Sequence, residues 1–298
     1  MKLVDFEGIS LMGGRGTRFN PITSYMPKEF LPIIYKEHKE IYNSKNVGTE
    51  IVVCQLYQME NLGIKEKSIV INPQKIKYYE KNLKERWYQM SKNNSLVKKI
   101  VEIIENSNLI IQEEANGDAD AIFLALNSSP KKYFLVYYGD VIYNNNNYKK
   151  DFKKAIDILL KEDYDIIFFT KFIEEDPSRF GVFKVKDNHV IDIVEKPKEN
   201  LEYLISNHEG KKGFYINTGV LLIKKENILP MLAYERNNFL ESKEENKELI
   251  MAKIVKKHLD NIKVGIYKLS EQEDFEDYGT YKDYIELSCK NLDLLKKY

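Results

Sequence analysis

The stretch that decides the fold is Leu11-Met12-Gly13-Gly14-Arg15-Gly16-Thr17-Arg18. A short apolar run at residues 8–12 leads directly into three glycines, a hydroxyl and a guanidinium group. Glycines let backbone N–H groups approach phosphate oxygens because no Cβ stands in the way. The side chain of Arg18 adds a planar fork of donors that suits phosphate. The pattern predicts a buried strand followed by a phosphate-binding loop, with an ordinary tight turn as the alternative.

Two familiar nucleotide-binding loops do not match this stretch. A Walker A loop needs Lys followed by Ser or Thr after its last glycine, and Thr17 follows Gly16 directly. A dinucleotide-binding loop needs a third glycine at the start of a helix, and Pro21 disfavours a long helix here. An NAD-dependent oxidoreductase is therefore a weaker alternative.

Apolar runs alternate with helical patterns through the first half of the chain. The runs expected to be strands lie at residues 8–12, 68–71, 109–111, 133–138 and 166–169. This alternation predicts an α/β fold with a doubly wound, mostly parallel, Rossmann-like sheet. Two runs at residues 181–185 and 190–194 bracket a polar turn and predict a hairpin, so we expect mixed strands in the second half. We expect a single domain over residues 1–298.

The overall charge excludes function classes that depend on a strong field. The 298 residues contain 46 Lys and Arg and 46 Asp and Glu, so the formal net charge is zero. We expect neither nucleic-acid nor membrane binding, and any affinity for phosphate must come from local charges. Two distant cysteines, no long apolar run and no apolar leader favour a reduced, cytoplasmic setting.

A second motif, Pro27-Lys28-Glu29-Phe30-Leu31-Pro32, follows the glycine loop, and its lysine could add a second cation to a triphosphate clamp. Together the two motifs resemble the signature of the sugar-1-phosphate nucleotidylyltransferases, which include bacterial glucose-1-phosphate uridylyltransferases and thymidylyltransferases. Glu29 is closer to the uridylyltransferases, since the thymidylyltransferases tend to have Gln there.

The resemblance implies a nucleotide-diphospho-sugar transferase fold and a Mg²⁺-dependent reaction of UTP with glucose 1-phosphate, giving UDP-glucose and pyrophosphate. Residues 1–150 would be the nucleotide-binding half, and residues 151–298 the sugar-binding half with a C-terminal helix. Family members often form homodimers or homotetramers.

The resemblance also assigns roles to residues on the nucleotide side. Arg18 and Lys28 would be catalytic. The expected nucleotide-binding residues are Gly13, Gly14, Gly16, Thr17, Glu29, Gln112 and Gly117.

Two aspartates are the expected Mg²⁺ ligands. Asp140 follows an apolar run predicted to be a strand, and α/β sheets bind ligands at the carboxyl ends of their strands. Asp277, in Asp277-Tyr278-Gly279-Thr280, resembles the second ligand of the family. Two carboxylates suit Mg²⁺, which prefers oxygen ligands and completes its shell with phosphates and water.

The sugar-phosphate residues implied by the resemblance lie in the second half. They are Gly181, Glu195, Lys196, Asn217 and Thr218, with Lys196 also expected to be catalytic because it would offset repulsion between two anionic substrates.

Two departures from the family pattern keep alternatives open. Asp120 stands where His or Gln is usual, and the charged residues 35–49 replace a Lys-Pro motif. The alternatives are a dTTP-dependent thymidylyltransferase, another sugar 1-phosphate, or a non-catalytic binding homologue.

Overall fold

The computed structural model describes residues 3–14, 16, 26–39, 41, 48–91, 94–144, 147–242, 248–269 and 275–295, with the side chains of 294 and 295 excepted. The chain divides into two compact units. Unit one comprises Met1–Ala115, Tyr137–Lys149 and Asp274–Tyr298, and unit two comprises Asn116–Val136 and Lys150–Glu273. The C-terminal helix, which the sequence groups with the second half, thus belongs to unit one.

The described residues form the following elements. The strands are β1 (Phe6–Met12), β2 (Pro32–Ile33), β3 (Thr49–Glu50), β4 (Glu66–Ile71), β5 (Ser107–Ile111), β6 (Tyr133–Tyr138), β7 (Val141–Tyr143), β8 (Ile166–Ile173), β9 (Gly181–Lys186), β10 (His189–Glu195), β11 (Ser206–His208), β12 (Lys211–Lys224), β13 (Val264–Lys268) and β14 (Phe275–Asp277). The α-helices are α1 (Ile51–Leu62), α2 (Pro73–Lys77), α3 (Arg86–Met90), α4 (Ser95–Glu105), α5 (Asp118–Ser128), α6 (Tyr148–Lys161), α7 (Leu201–Leu204), α8 (Lys225–Ser242), α9 (Met251–Lys257) and α10 (Tyr281–Leu295).

Parallel strands carry the glycine loop in unit one. β1 pairs in parallel with β4, and β4 pairs in parallel with β5. Every residue of β1 is buried, as expected for a strand of a parallel sheet covered on both faces. The carboxyl ends of these three strands therefore lie at one edge, where α/β folds bind ligands.

A π-helical segment interrupts the helical stretch after β4. The segment Tyr78–Glu85 connects α2 to α3, so residues 73–90 continue without a loop. The stretch begins at Asn72, whose side chain accepts a hydrogen bond from Lys75 N at 3.1 Å. This Asn cap places the first turn of α2 directly after the end of β4.

Five strands of unit two are hydrogen-bonded in a closed cycle. The order is β12, β8, β13, β10 and β9, and β9 pairs again with β12. β13 runs parallel to β8, whereas the other four pairings are antiparallel. The predicted β9–β10 hairpin is present, and its turn residues Asp187 and Asn188 both have positive φ, as a type I′ turn requires.

The two faces of β8 pack against different neighbours. Phe169 stacks on Phe152 of α6, with ring centroids 4.6 Å apart. Phe168 instead lies 4.9 Å from Phe183 of β9, a strand with which β8 does not pair. Because side chains alternate along a strand, the Phe168 face is the concave one that the cycle encloses. In the part of the chain described, no helix combines the length and the apolarity needed to cross a membrane.

Candidate active site

The two predicted metal ligands lie side by side in unit one. Asp140 directly precedes β7, and Asp277 is the last residue of β14. These two strands pair antiparallel with Asp277 opposite Val141, and Tyr278 N donates to the Asp140 carbonyl oxygen at 2.8 Å. The fold therefore brings together two carboxylates from distant parts of the sequence.

The electrostatics of this pair show that the two carboxylates interact. The pKa of Asp277 is raised to about 6, first by burial and next by the negative charge of Asp140. Lys28 acts in the opposite direction, and its Nζ donates to Asp140 Oδ2. The cluster holds more negative than positive charge, which suits a bound cation.

Gly139 lets the turn before Asp140 approach the end of β1. A Cβ at this position would lie 2.3 Å from the Leu11 carbonyl oxygen and 2.9 Å from Glu29 Cγ. Any larger residue would push the Asp140 backbone away from the glycine loop.

Gln112, which the sequence predicts to bind the nucleotide, lies against the glycine loop. Its backbone N donates to the Ile71 carbonyl oxygen at 2.9 Å, which fixes it beyond the ends of β4 and β5. The side chain is buried, and a Cβ on Gly13 would lie 1.9 Å from its Oε1. A Cβ on Gly14 would meet none of the described residues within 4 Å.

The remaining loop residues are described only in part. Gly16 has a φ of 66°, a left-handed conformation that favours glycine. Thr17 and Arg18 lie outside the described residues.

The motif at Lys28 and Glu29 forms a 3₁₀ turn, and a buried ion pair holds it. Glu29 is 1% exposed, and both of its carboxylate oxygens accept from Lys75 Nζ, at 2.9 and 3.0 Å. Lys75 also donates to the Met12 carbonyl oxygen at 2.8 Å, and burial lowers its pKa, partly offset by Glu29. The carboxylate of Glu29 therefore faces Lys75, a residue that the sequence did not single out.

Gly117 and Asp120 lie at the start of α5 in unit two. Gly117 has a φ of 114°, and a Cβ there would lie 2.4 Å from the Leu249 carbonyl oxygen. Asp120 is buried and accepts from Arg236 Nε at 2.6 Å. The unusual aspartate therefore ties α5 to α8.

Three of the predicted sugar-side residues meet in unit two. Gly181 of β9 is the register partner of Glu195 on β10. A Cβ on Gly181 would lie 2.8 Å from Glu195 Oε2 and 3.5 Å from Asn217 Cβ. The Asn217 side chain accepts from Gly219 N at 2.9 Å, which fixes its orientation.

The other two predicted sugar-side residues differ from each other in exposure. Lys196 has a φ of 48°, its side chain is 59% exposed, and its Nζ lies 3.9 Å from Glu195 Oε1. Thr218 is buried, and its hydroxyl donates to the Phe169 carbonyl oxygen at 2.8 Å.

A short pair of strands flanks the stretch that replaces the Lys-Pro motif. Ile33 of β2 pairs with Thr49 of β3, just before α1. Within it, His38 is buried, its Nδ1 lies 3.1 Å from Thr49 Oγ1, and its Nε2 has no hydrogen-bond partner among the residues that the structure describes. This departure therefore builds part of the core of unit one.

The glycine loop lies at the end of a parallel sheet, beside two carboxylates and a lysine. This arrangement is typical of proteins that bind phosphates and nucleotides. The family model described as nucleotidyl transferase matches residues 7–293, and the chain belongs to this family.

Proteins with curated descriptions match part of this chain. The chain is 29% identical over 231 residues to the bifunctional protein GlmU of Methanococcus maripaludis, covering 75% of this chain and 43% of that protein. It is 29% identical over 198 residues to a putative UTP–glucose-1-phosphate uridylyltransferase of Methanocaldococcus jannaschii, covering 63% of this chain and 64% of that one. The chain thus spans about two fifths to two thirds of the length of these relatives.

Solved structures confirm the predicted fold class. A UDP-glucose pyrophosphorylase in complex with UDP-glucose superposes with a TM-score of 0.70 at 20% identity, over 97% of this chain and 98% of that one. A putative glucose-1-phosphate thymidylyltransferase of Bacillus anthracis gives a TM-score of 0.63 at 20% identity, over 97% and 96%. At this identity the likeness shows the fold alone.

Proposed function

We propose that the protein transfers a uridylyl group from UTP to glucose 1-phosphate, giving UDP-glucose and pyrophosphate in a Mg²⁺-dependent reaction. The observation that carries the proposal is the juxtaposition of Asp140 and Asp277 with Lys28 at their side. The retention of both aspartates argues against a binding homologue without activity.

The donor set fits a magnesium ion. Among the described residues no three His, Cys, Asp or Glu side chains form a metal-binding group, so the protein would supply two carboxylates. Mg²⁺ commonly binds in this way, with substrate phosphates and water as its other ligands. When bound, it would neutralise charge on the phosphates.

The protein's own residues would position the two substrates. The amides of Gly13, Gly14 and Gly16, together with Arg18, would hold the triphosphate, and Lys28 would stabilise charge near the α-phosphate. Lys196 would offset the repulsion between the two anionic substrates. No general base is needed, because the attacking sugar-phosphate oxygen is already an anion.

The choice of base and sugar draws on the sequence and on a relative. Glu29 and the description of the Methanocaldococcus jannaschii relative favour UTP and glucose 1-phosphate. Other relatives are described as acting on dissimilar substrates, such as a putative mannose-1-phosphate guanyltransferase of Sulfolobus acidocaldarius. Thymidylyl transfer from dTTP is the nearest alternative.

The test is pyrophosphate release by the purified chain with five nucleoside triphosphates against several sugar 1-phosphates, with and without Mg²⁺. We expect the highest kcat/KM for UTP with glucose 1-phosphate and no turnover in EDTA. Activity without any divalent cation, or no turnover with any pair, would contradict the proposal.

A further inference from the structure

A lateral row of residues crosses five strands of unit two. Lys268 of β13 pairs with Thr170 of β8, and Thr170 pairs with Asn217 of β12. Asn217 lies beside Gly181 of β9, which pairs with Glu195 of β10. Three members of the row are predicted sugar-side residues. Lys268 and Thr170 complete it.

Lys268 lies on the same side of the strands as the sugar-side residues. Laterally paired residues point to one face of a sheet, and Thr170 is two residues from Phe168 on the concave face. The Lys268 Nζ lies 5.0 Å from the ring centroid of Tyr215, two residues before Asn217 on β12. Since β12 and β13 do not pair directly, this contact shows the side chain reaching across β8 to β12, two residues from Asn217.

The surroundings of this ammonium group are aromatic. Tyr215 contacts Phe172, with ring centroids 5.3 Å apart, and its hydroxyl lies 3.1 Å from His208 Nδ1. Among the described residues no carboxylate raises the pKa of Lys268, and burial lowers it. A partly desolvated cation without an ion partner gains most from an arriving anion.

We propose that Lys268 contacts an anionic oxygen of the sugar-phosphate substrate, on its phosphate or on a carboxylate carried by the sugar. This inference rests on the proposed function. It adds a second cation to the sugar side, at the opposite end of the row from Glu195.

A matched control exists on the same strand pair. Lys263 immediately precedes β13 at its other end, and its Nζ lies 4.6 Å from the ring centroid of Tyr164. Lys263→Met therefore removes an equivalent lysine–tyrosine contact away from the row. Lys268→Met keeps most of the side-chain stem, and Lys268→Arg keeps the charge.

The experiment measures KM for each substrate in wild type, Lys268→Met, Lys268→Arg and Lys263→Met. The probes are glucose 1-phosphate and glucuronic acid 1-phosphate, with the preferred triphosphate held saturating and then varied. We expect Lys268→Met to raise the sugar-phosphate KM about tenfold or more, with the triphosphate KM unchanged, partial rescue by Arg, and no effect in Lys263→Met.

The outcomes separate the possibilities. A loss with both probes assigns the contact to the phosphate, and a loss confined to the uronate assigns it to the carboxylate. A sugar-phosphate KM within twofold of wild type for both probes overturns the inference while the proposed function stands. Wild type that turns over no sugar phosphate overturns both. If Lys268→Met does not fold, Lys268→Gln serves in its place, judged by the same KM values.

Discussion

At the residue scale, two glycines leave room for different neighbours. A Cβ at Gly139 would collide with backbone, 2.3 Å from the Leu11 carbonyl oxygen, whereas a Cβ at Gly13 would collide with the end of the Gln112 side chain. A flexible side chain can move aside and a backbone cannot. Substitution at Gly13 should therefore change binding before it changes folding.

Gly13→Ala should raise KM for the triphosphate about tenfold, because the new methyl group displaces the Gln112 carboxamide from the loop. Gln112→Ala should have a similar effect. If displacement is the whole cause, the double variant will be no worse than Gln112→Ala alone. Steady-state kinetics check this, and additive losses in the double variant would contradict it.

A second prediction concerns the buried His38. Burial, followed by the charge of Lys99, lowers its pKa from 6.5 to about 3. The native state therefore keeps the ring neutral, while the unfolded chain takes up a proton below its ordinary pKa. The stabilisation is present above pH 6.5 and is lost as the pH falls towards 3.

Wild type should lose up to about 1.4 kcal/mol of unfolding free energy per pH unit more than His38→Phe on acidification through this range. Urea unfolding followed by the fluorescence of Trp87, the one tryptophan of the chain, measures both proteins from pH 7 to pH 4. Parallel curves for the two proteins would show that the histidine carries no such linkage.

At the element scale, Lys75 joins three elements of unit one. Its Nζ contacts the end of β1 through Met12 and the 3₁₀ turn of Lys28 through Glu29, while its backbone belongs to α2. The ion pair is almost wholly buried. It therefore fixes the turn from which Lys28 reaches Asp140.

Lys75→Met should destabilise the protein by about 3–5 kcal/mol, because it leaves the Glu29 carboxylate buried without a partner. The double variant with Glu29→Gln should recover much of this loss. Lys84→Met is the control, since Lys84 pairs with Glu80 on the surface and should contribute less than about 1 kcal/mol. Equal effects at the two lysines, measured by chemical denaturation, would refute this account.

Gly117→Ala should also be costly, because the position combines a left-handed φ with a backbone collision. Gly210 has a comparable φ of 83° but open space around its missing Cβ. Gly210→Ala should cost about 1 kcal/mol from strain alone, and Gly117→Ala at least about twice as much. Similar melting temperatures for the two variants would mean that the contact with Leu249 relaxes freely.

Local patterns predicted many of the elements but not all of them. Apolar runs located β1, β4 and β5 because buried parallel strands are continuously apolar. The helix α4 was not anticipated, although Asn94 caps it by accepting from Leu96 N and Val97 N. Its cap and helical spacing were the available signal.

The site residues divide into those that a short motif indicates and those that only the fold brings together. The aspartates stand in short motifs that resemble a family, so the sequence could point to them. Lys75 and Asn144 stand in no motif, because their partners are distant in sequence. Asn144 is wholly buried and donates to both carboxylate oxygens of Glu276.

At the scale of the whole molecule, the candidate residues divide between the two units. The glycine loop, Lys28, Gln112 and the aspartates belong to unit one. Gly117 and the sugar-side residues belong to unit two. With a net charge of zero, neither of the proposed substrates would be attracted by a general field. Because Gln112 lies in unit one and Lys268 in unit two, variants at these two residues should change KM for different substrates.

The most direct test of the central claim is pyrophosphate release with Mg²⁺ by Asp140→Asn, Asp277→Asn and the double variant. Asp163→Asn is the control, because Asp163 is exposed and pairs only with Lys224 among the described residues. We predict that each single variant loses about a hundredfold or more in kcat, that the double variant is no worse than either, and that the control matches wild type. Turnover within twofold of wild type in either single variant would contradict the claim that these two aspartates hold one metal ion.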